Sequence, residues 1–267
     1  MTNKCAVILA GGEGKRMKSD KPKTLSQVLS KPMLQWVIDA LRKSGVDNMR
    51  LIVNASTRSG VDNICVVKGY KKECIEEFAA GLPYKITTVY QAERLGTGHA
   101  VMMAKEFLTE HGGDVIILNG DAPFMDSQTI EDAYKQHTAL KNSATVISAK
   151  VSDPTGYGRI VRNPDGSLKA IVEQKDADAA TAAIDEVNSG GFWFNTVDLL
   201  SVLDKIQANN AAKEYYLPDA LKLLLDNGKS VGAYTAASAD TVLGANDPAQ
   251  LAELNDIAKS KYGKYPY

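Results

Sequence analysis

The sequence predicts an α/β fold: a mostly parallel sheet with helices on both faces. Three observations carry that expectation. Aliphatic runs of strand length alternate with helix-period segments up to about residue 140, the pattern of successive βαβ units. After that point the texture changes to short β-branched stretches and turn signals, which reads as an inserted mixed β lobe. No Pro/Gly/Ser-rich linker separates the halves, so the 267 residues are expected to form one unit with two lobes.

Taken in order, the expected strands of the first half are "AVILA" (6–10), "MRLIV" (49–53), "ICVV" (64–67), "KITTVY" (85–90) and "DVIILN" (114–119). Helical spacing is present at about 33–44, 71–80, 97–108 and 127–139. In the second half "SATVISAKV", "GRIVRN", "LKAIVEQ" and "SGGFWF" read as strands, with "NPDG" (163–166) as a hairpin turn. Helices resume at about 196–208, 215–226 and 247–261. The whole is Rossmann-like, with one part at about 1–140, a second at about 141–240 and a C-terminal helix. "SGVDN" occurs twice, at 44–48 and 59–63, each copy leading into a β-branched run. That suggests a local duplication, with "ICVV" in the sheet because a helix follows it directly, and "MRLIV" as an added strand or loop.

Composition narrows the partners. Lys+Arg number 31 against Asp+Glu 32, so no bulk positive field exists to hold nucleic acid or an anionic membrane. Any anion must be met locally. The three cysteines, Cys5, Cys65 and Cys74, form no CxxC pair, which gives neither a disulfide framework nor a zinc site and fits a reducing cytoplasm. No apolar run approaches the ~20 residues of a membrane span, and the opening run is too short for a signal peptide.

The first strand breaks into "ILAGGEGKRM" (8–17). Glycines at the end of a strand expose unpaired N–H groups that an oxyanion can approach. Gly11, Gly12 and Gly14 are followed by Lys15 and Arg16, then by "KPK" with Lys21 and Lys23. This spacing is neither the dinucleotide fingerprint nor the Walker loop. On its own it reads equally as a glycine-rich turn before a helix or as a phosphate cradle.

"LAGGEGKRM" followed by "KPK" resembles the signature of sugar-1-phosphate nucleotidyltransferases. "QAERLGTGHA" (91–100), "NGDAP" (119–123), "DPTGYGRI" with "VEQKDA", "EVNSG" (186–190) and "GAND" (244–247) follow in the order and rough spacing of the bacterial N-acetylglucosamine-1-phosphate uridylyltransferases. The resemblance runs from about residue 5 to 260. It implies that Leu9, Ala10, Gly11, Gly12 and Gly14 wrap a nucleoside triphosphate, that Arg16 and Lys23 hold its phosphates, and that Lys175 is a further phosphate contact. It implies that Gln91, Gly96 and Thr97 read the uracil, a task suited to a side-chain amide that both donates and accepts. Gly158, Glu173 and Asn188 would meet the N-acetylhexosamine, making the second half a sugar-binding lobe. Asp121 and Asn246 would hold Mg²⁺, a hard cation that takes few protein oxygens.

Read without the resemblance, Asp121 is a turn aspartate, Glu173 a surface carboxylate and Thr97 a helix cap. The reaction implied joins UTP and N-acetylglucosamine 1-phosphate to give UDP-N-acetylglucosamine and pyrophosphate. Another sugar 1-phosphate, dTTP, or a non-catalytic nucleotide-sugar sensor are the alternatives. With His99, His111 and His137 forming no dyad, no histidine base is expected, and His99 reads as a helix residue. Asn119 departs from the tyrosine that well-known relatives carry before "GD". The sequence stops at Tyr267 with no hexapeptide repeats, so the acetyl transfer and trimer of bifunctional members are not implied.

Overall fold

The structure, a computed structural model, describes residues 3–45 and 63–263. The "MRLIV" strand and most of the duplicated "SGVDN" pair lie outside the described residues. β1 (Lys4–Ala10) is central, and its side chains alternate between two cores: Cys5 and Val7 enter one, Ala6, Ile8 and Ala10 the other. A strand covered on both faces leaves no side for water, which is why the run is continuously apolar. A short hairpin, β2 (Gln27–Val28) and β3 (Lys31–Pro32), precedes α1 (Met33–Lys43). Leu34, Val37, Ile38 and Leu41 recur at helical spacing on α1 and are fully buried.

β4 (Ile64–Lys68) lies parallel to β1, with Cys65 opposite Val7, so "ICVV" is in the sheet as expected. α2 (Lys72–Ala80) follows, and β5 (Thr87–Tyr90) pairs parallel with β4. The helix expected over 97–108 is two helices, α3 (Thr97–Met102) and α4 (Lys105–His111). The chain turns between them so that Phe107 and Leu108 reach the same core as Val101. β6 (Asp114–Asn119) pairs parallel with the other side of β1. α5 (Ser127–Ala139) is capped by Asp126, whose carboxylate accepts from the Thr129 N–H at 2.9 Å.

The second half supplies β7 (Ala144–Lys150), β8 (Arg159–Arg162), β9 (Leu168–Val172), α6 (Ala179–Ala182), β10 (Glu186–Asn195), α7 (Thr196–Leu203), α8 (Pro218–Asp226), β11 (Val231–Thr235) and α9 (Pro248–Tyr262). The sheet runs β11-β7-β10-β6-β1-β4-β5, with β10 antiparallel to both neighbours and the other pairs on that path parallel. The second half is therefore woven into the sheet rather than set beside it. Among the described residues only the β8–β9 hairpin branches off, from Val187 opposite Arg159. Its turn is the expected "NPDG": Gly166 N–H donates to Asn163 O at 2.9 Å, with Gly166 at φ 85°. α7 ends at Leu203, short of the expected 208, and β11 was not expected at all.

α1, α2 and α5 cover one face; α3, α4, α7 and α8 cover the other. α9 packs outside, placing Leu254 and Ala258 against Val28 and Met33. Leu9 stands opposite both Val67 and Asn119, so β1, β4 and β6 end together on one edge. That edge is where open α/β sheets take their ligands.

Candidate active site

A cleft of about 790 Å³ opens at the carboxyl ends of these strands. Its first wall is the turn after β1, where Gly11 and Gly12 follow buried Ala10. A Cβ on Gly11 would lie 2.9 Å from Gln91 Oε1, whereas one on Gly12 would meet nothing within 4 Å. Gly11 is thus bare because protein packs on it. Gly12 is bare toward open space, where a ligand can approach. Gly14 sits in the left-handed region, φ 60°, and its bare Cα faces the Lys23 stem.

Lys23 is the hinge of the site. Its ammonium contacts the Asp121 carboxylate and donates to Asn246 Oδ1 at 3.0 Å. Asp121 stands in the turn just past β6. Gly244 presses against that turn, and a Cβ there would come within 2.8 Å of Asp121 O. Asn246 is fixed by the start of α9: its N–H donates to Gln250 Oε1 at 2.8 Å, while Asp247 caps the helix and Pro248 opens it. Two oxygens from distant parts of the chain thereby converge on one cation. Such a hard-oxygen pair, with an ammonium already standing between, fits a magnesium ion completed by substrate oxygens and water. Among the described residues no group of three or more His, Cys, Asp or Glu side chains could hold a metal without such help.

The second wall carries Gln91, Gly96 and Thr97. The Gln91 amide nitrogen donates to Gly96 O at 3.1 Å and also lies 3.1 Å from His99 Nδ1. Because that nitrogen only donates, His99 Nδ1 accepts, which leaves the Gln91 oxygen toward the glycine turn. Gly96, at φ 112°, lets the chain pass against Tyr215 O. Thr97 is not the helix cap: Gly96 occupies that position, and the Thr97 hydroxyl accepts from Leu217 N–H at 3.0 Å.

The third wall comes from the second half. Asn188 N–H donates to Gly158 O at 2.8 Å, and a Cβ on Gly158 would meet Glu173 Oε1 at 2.8 Å. Burial, reinforced by the charges of Asp176 and Asp219, holds the Glu173 carboxyl above its ordinary range, against a hydrogen bond from Asn188. The loop carrying Gly158 is anchored by Arg159, 1 % exposed, which donates to Tyr157 O, to Gln174 Oε1 at 2.9 Å and to Ala182 O at 3.1 Å.

Of the residues the sequence singled out, Leu9, Gly11, Gly12, Lys23, Gln91, Gly96, Thr97, Asp121, Gly158, Glu173, Asn188 and Asn246 share this one cleft. Four others do not line it: Ala10 is buried, Gly14 is half-buried, and Arg16 and Lys175 are exposed. The sequence reading did not single out Glu13, Arg94 or Tyr157, which also line it. Arg94 pairs with Glu13 at 3.2 Å across the mouth, from one loop to the next, and no motif spacing signals such a pair. Asn119 also lines the cleft, its amide packed against Gly190 at a bulge in β10.

The comparisons agree with this architecture. The chain is 41 % identical to the bifunctional protein GlmU of Acetivibrio thermocellus, covering 96 % of this chain and 52 % of that one. It is 44 % identical to the bifunctional protein GlmU of Clostridium beijerinckii over 97 % of this chain and 52 % of the relative. The chain thus spans about half the length of the curated relatives it matches. Its fold superposes with a TM-score of 0.72 and 18 % identity on a Bacillus anthracis crystal structure provisionally described as a glucose-1-phosphate thymidylyltransferase in complex with sucrose, covering 96 % and 95 % of the two chains. Residues 5–241, which hold the glycine turn, Asp121 and the third wall, match the nucleotidyl transferase family, and to that family this chain belongs.

Proposed function

We propose that the chain transfers a uridylyl group from UTP to N-acetylglucosamine 1-phosphate, giving UDP-N-acetylglucosamine and pyrophosphate. One observation carries the reading: the glycine turn with Lys23, Asp121 and Asn246 faces Gly158, Glu173 and Asn188 across a single cleft. A triphosphate and a sugar phosphate can therefore meet in it. A phosphate monoester with a second pKa near 6 is largely dianionic at neutral pH, so its oxygen attacks the α-phosphorus without a base. The new O–P bond forms as the bond to the β-phosphate oxygen breaks, and pyrophosphate leaves with that electron pair. His99, engaged with Gln91, is then a brace for the base reader rather than a proton carrier.

Asp121 and Asn246 would hold Mg²⁺, which supplies charge neutralisation to the triphosphate when bound. Lys23 aligns the phosphates, and the Gly12 backbone, open to the cleft, receives them. Glu173 and Asn188 accept and donate to the sugar hydroxyls and acetamido group. Arg16 reaches the triphosphate only if its exposed side chain folds over the turn. The free, buried Cys5 and Cys65 suit a cytoplasmic setting.

The test is pyrophosphate release from UTP and Mg²⁺ with a panel of sugar 1-phosphates. Release is expected with the N-acetylglucosamine ester, falling about 100-fold in Lys23→Ala, the order seen when one charge-stabilising donor is lost. Release with the glucose ester alone refutes the hexosamine assignment, and none with any ester refutes the transferase. Transfer to glucose 1-phosphate or from dTTP is the second reading: the fold shared with the Bacillus anthracis protein is common to both, and the substrate panel decides between them.

A further inference from the structure

Lys23 holds both oxygens that the proposed reading gives to the divalent ion. Among the described residues it is the cation paired with Asp121, and the two side chains are only 17 % and 19 % exposed. Solvent therefore screens the contact poorly. A dication held by the Asp121 carboxylate and Asn246 Oδ1 would lie at contact range from the ammonium, and with both side chains mostly shielded from water their mutual repulsion disfavours joint occupancy.

We propose that Lys23 is the resident counter-ion of the metal position, and that entry of the metal and departure of Lys23 are a single exchange promoted by the triphosphate. The inference rests on Asp121 and Asn246 being the metal ligands. The displaced ammonium needs new oxygens, and the phosphates on the neighbouring glycine turn provide them. The path is short. The Lys23 stem lies along Gly14, whose missing Cβ would otherwise stand 2.7 Å from Lys23 Cβ and 3.6 Å from Cδ. Rotation of the terminal torsions moves the ammonium from Asp121 toward the turn while the stem stays packed. Metal and nucleotide then bind with positive coupling, each raising the affinity for the other. A lysine of the reaction site is also what keeps the metal out until substrate arrives.

The experiment is equilibrium dialysis of Mn²⁺ against the full chain, with and without UTP and without sugar phosphate, corrected for Mn²⁺ held by free UTP. The wild type is expected to bind Mn²⁺ weakly without nucleotide and at least tenfold more tightly with it. Lys23→Met removes the resident charge and is expected to tighten nucleotide-free Mn²⁺ binding by about tenfold or more, while Lys23→Arg keeps it weak. Lys23→Gln repeats the first arm should the methionine variant fail to fold by circular dichroism. If neither neutral variant tightens Mn²⁺ binding although UTP still recruits Mn²⁺ to the wild type, the exchange is overturned and the metal assignment stands. If UTP recruits no Mn²⁺ to the wild type, or if adding Asp121→Asn to Lys23→Met leaves the binding as tight, the metal assignment falls and the exchange with it.

Discussion

Replacing Gly14 by alanine tests whether the glycine turn is built for the phosphate or for Lys23. Gly14 has φ 60° and ψ 42°, the left-handed region, where a Cβ costs an L-residue about 1–2 kcal/mol. The new methyl would also stand 2.7 Å from Lys23 Cβ, where ordinary contact begins at 3.4 Å, so one of the two must retreat by 0.7 Å. Lys23 Cβ is the root of its side chain and cannot swing aside as a terminal atom can. A shift of that size at the root displaces the stem from which the ammonium reaches Asn246 Oδ1, 3.0 Å away, and from which it would have to reach the phosphates. The strain and overlap together are expected to destabilise the fold by about 1–3 kcal/mol, and at roughly 2–4 °C per kcal/mol Tm falls by several degrees. Turnover in the pyrophosphate assay should fall on the order of 100-fold, the scale of a 1 Å misplacement.

Gly12→Ala is the control. Its methyl meets nothing within 4 Å, so calorimetry should show Tm unchanged to about a degree, the range of a neutral surface change, while KM for UTP rises as the methyl blocks the backbone. If Gly14→Ala leaves both Tm and turnover intact, or if Gly12→Ala is the variant that loses stability, the division of labour drawn between the two glycines is wrong.

Two further outcomes follow from buried titratable groups. Because burial raises the folded-state pKa of Glu173 above its ordinary 4.5, the folded protein holds that proton more tightly than the unfolded chain, and stability falls as pH rises between the two values. Glu173→Gln should therefore be more stable than wild type above the raised pKa, with the advantage vanishing as pH drops below the ordinary value, and KM for the sugar phosphate should rise. Equal pH–Tm curves would contradict the burial argument. Burial pushes the Cys5 and Cys65 thiols up to about 12, leaving half-buried Cys74 to react with a thiol reagent at pH 8. One equivalent is expected in the native protein and three after unfolding; rapid reaction of two or three native thiols would show that the sheet is not closed around β1 and β4.

What the sequence disclosed and what it withheld divide along a physical line. β1, β4 and β6 were readable because a strand buried on both faces must be apolar throughout, and "ICVV" could be placed in the sheet because a helix follows it directly. The break between α3 and α4 was not, since "VMMAK" contains neither glycine nor proline; the turn accompanies the entry of Phe107 and Leu108 into the core that Val101 also joins. β11 was missed because "VGAYT" is short, half-exposed and interrupted by glycine, and becomes a strand only by pairing with β7, as in Val231 opposite Ala144. The same limit holds at the site. Glycines, "KPK" and "GD" mark local backbone features, but their spacing alone reads equally as turns; it was the resemblance of the whole series of motifs that implied one shared site. The contact of Lys23 with Asn246 joins residues 223 positions apart and exists only because Gly244 lets the α9 loop close onto Asp121. A sequence can name the groups that bear the charge; which charge rests on which, before any substrate enters, is decided by the packing of backbone at two glycines.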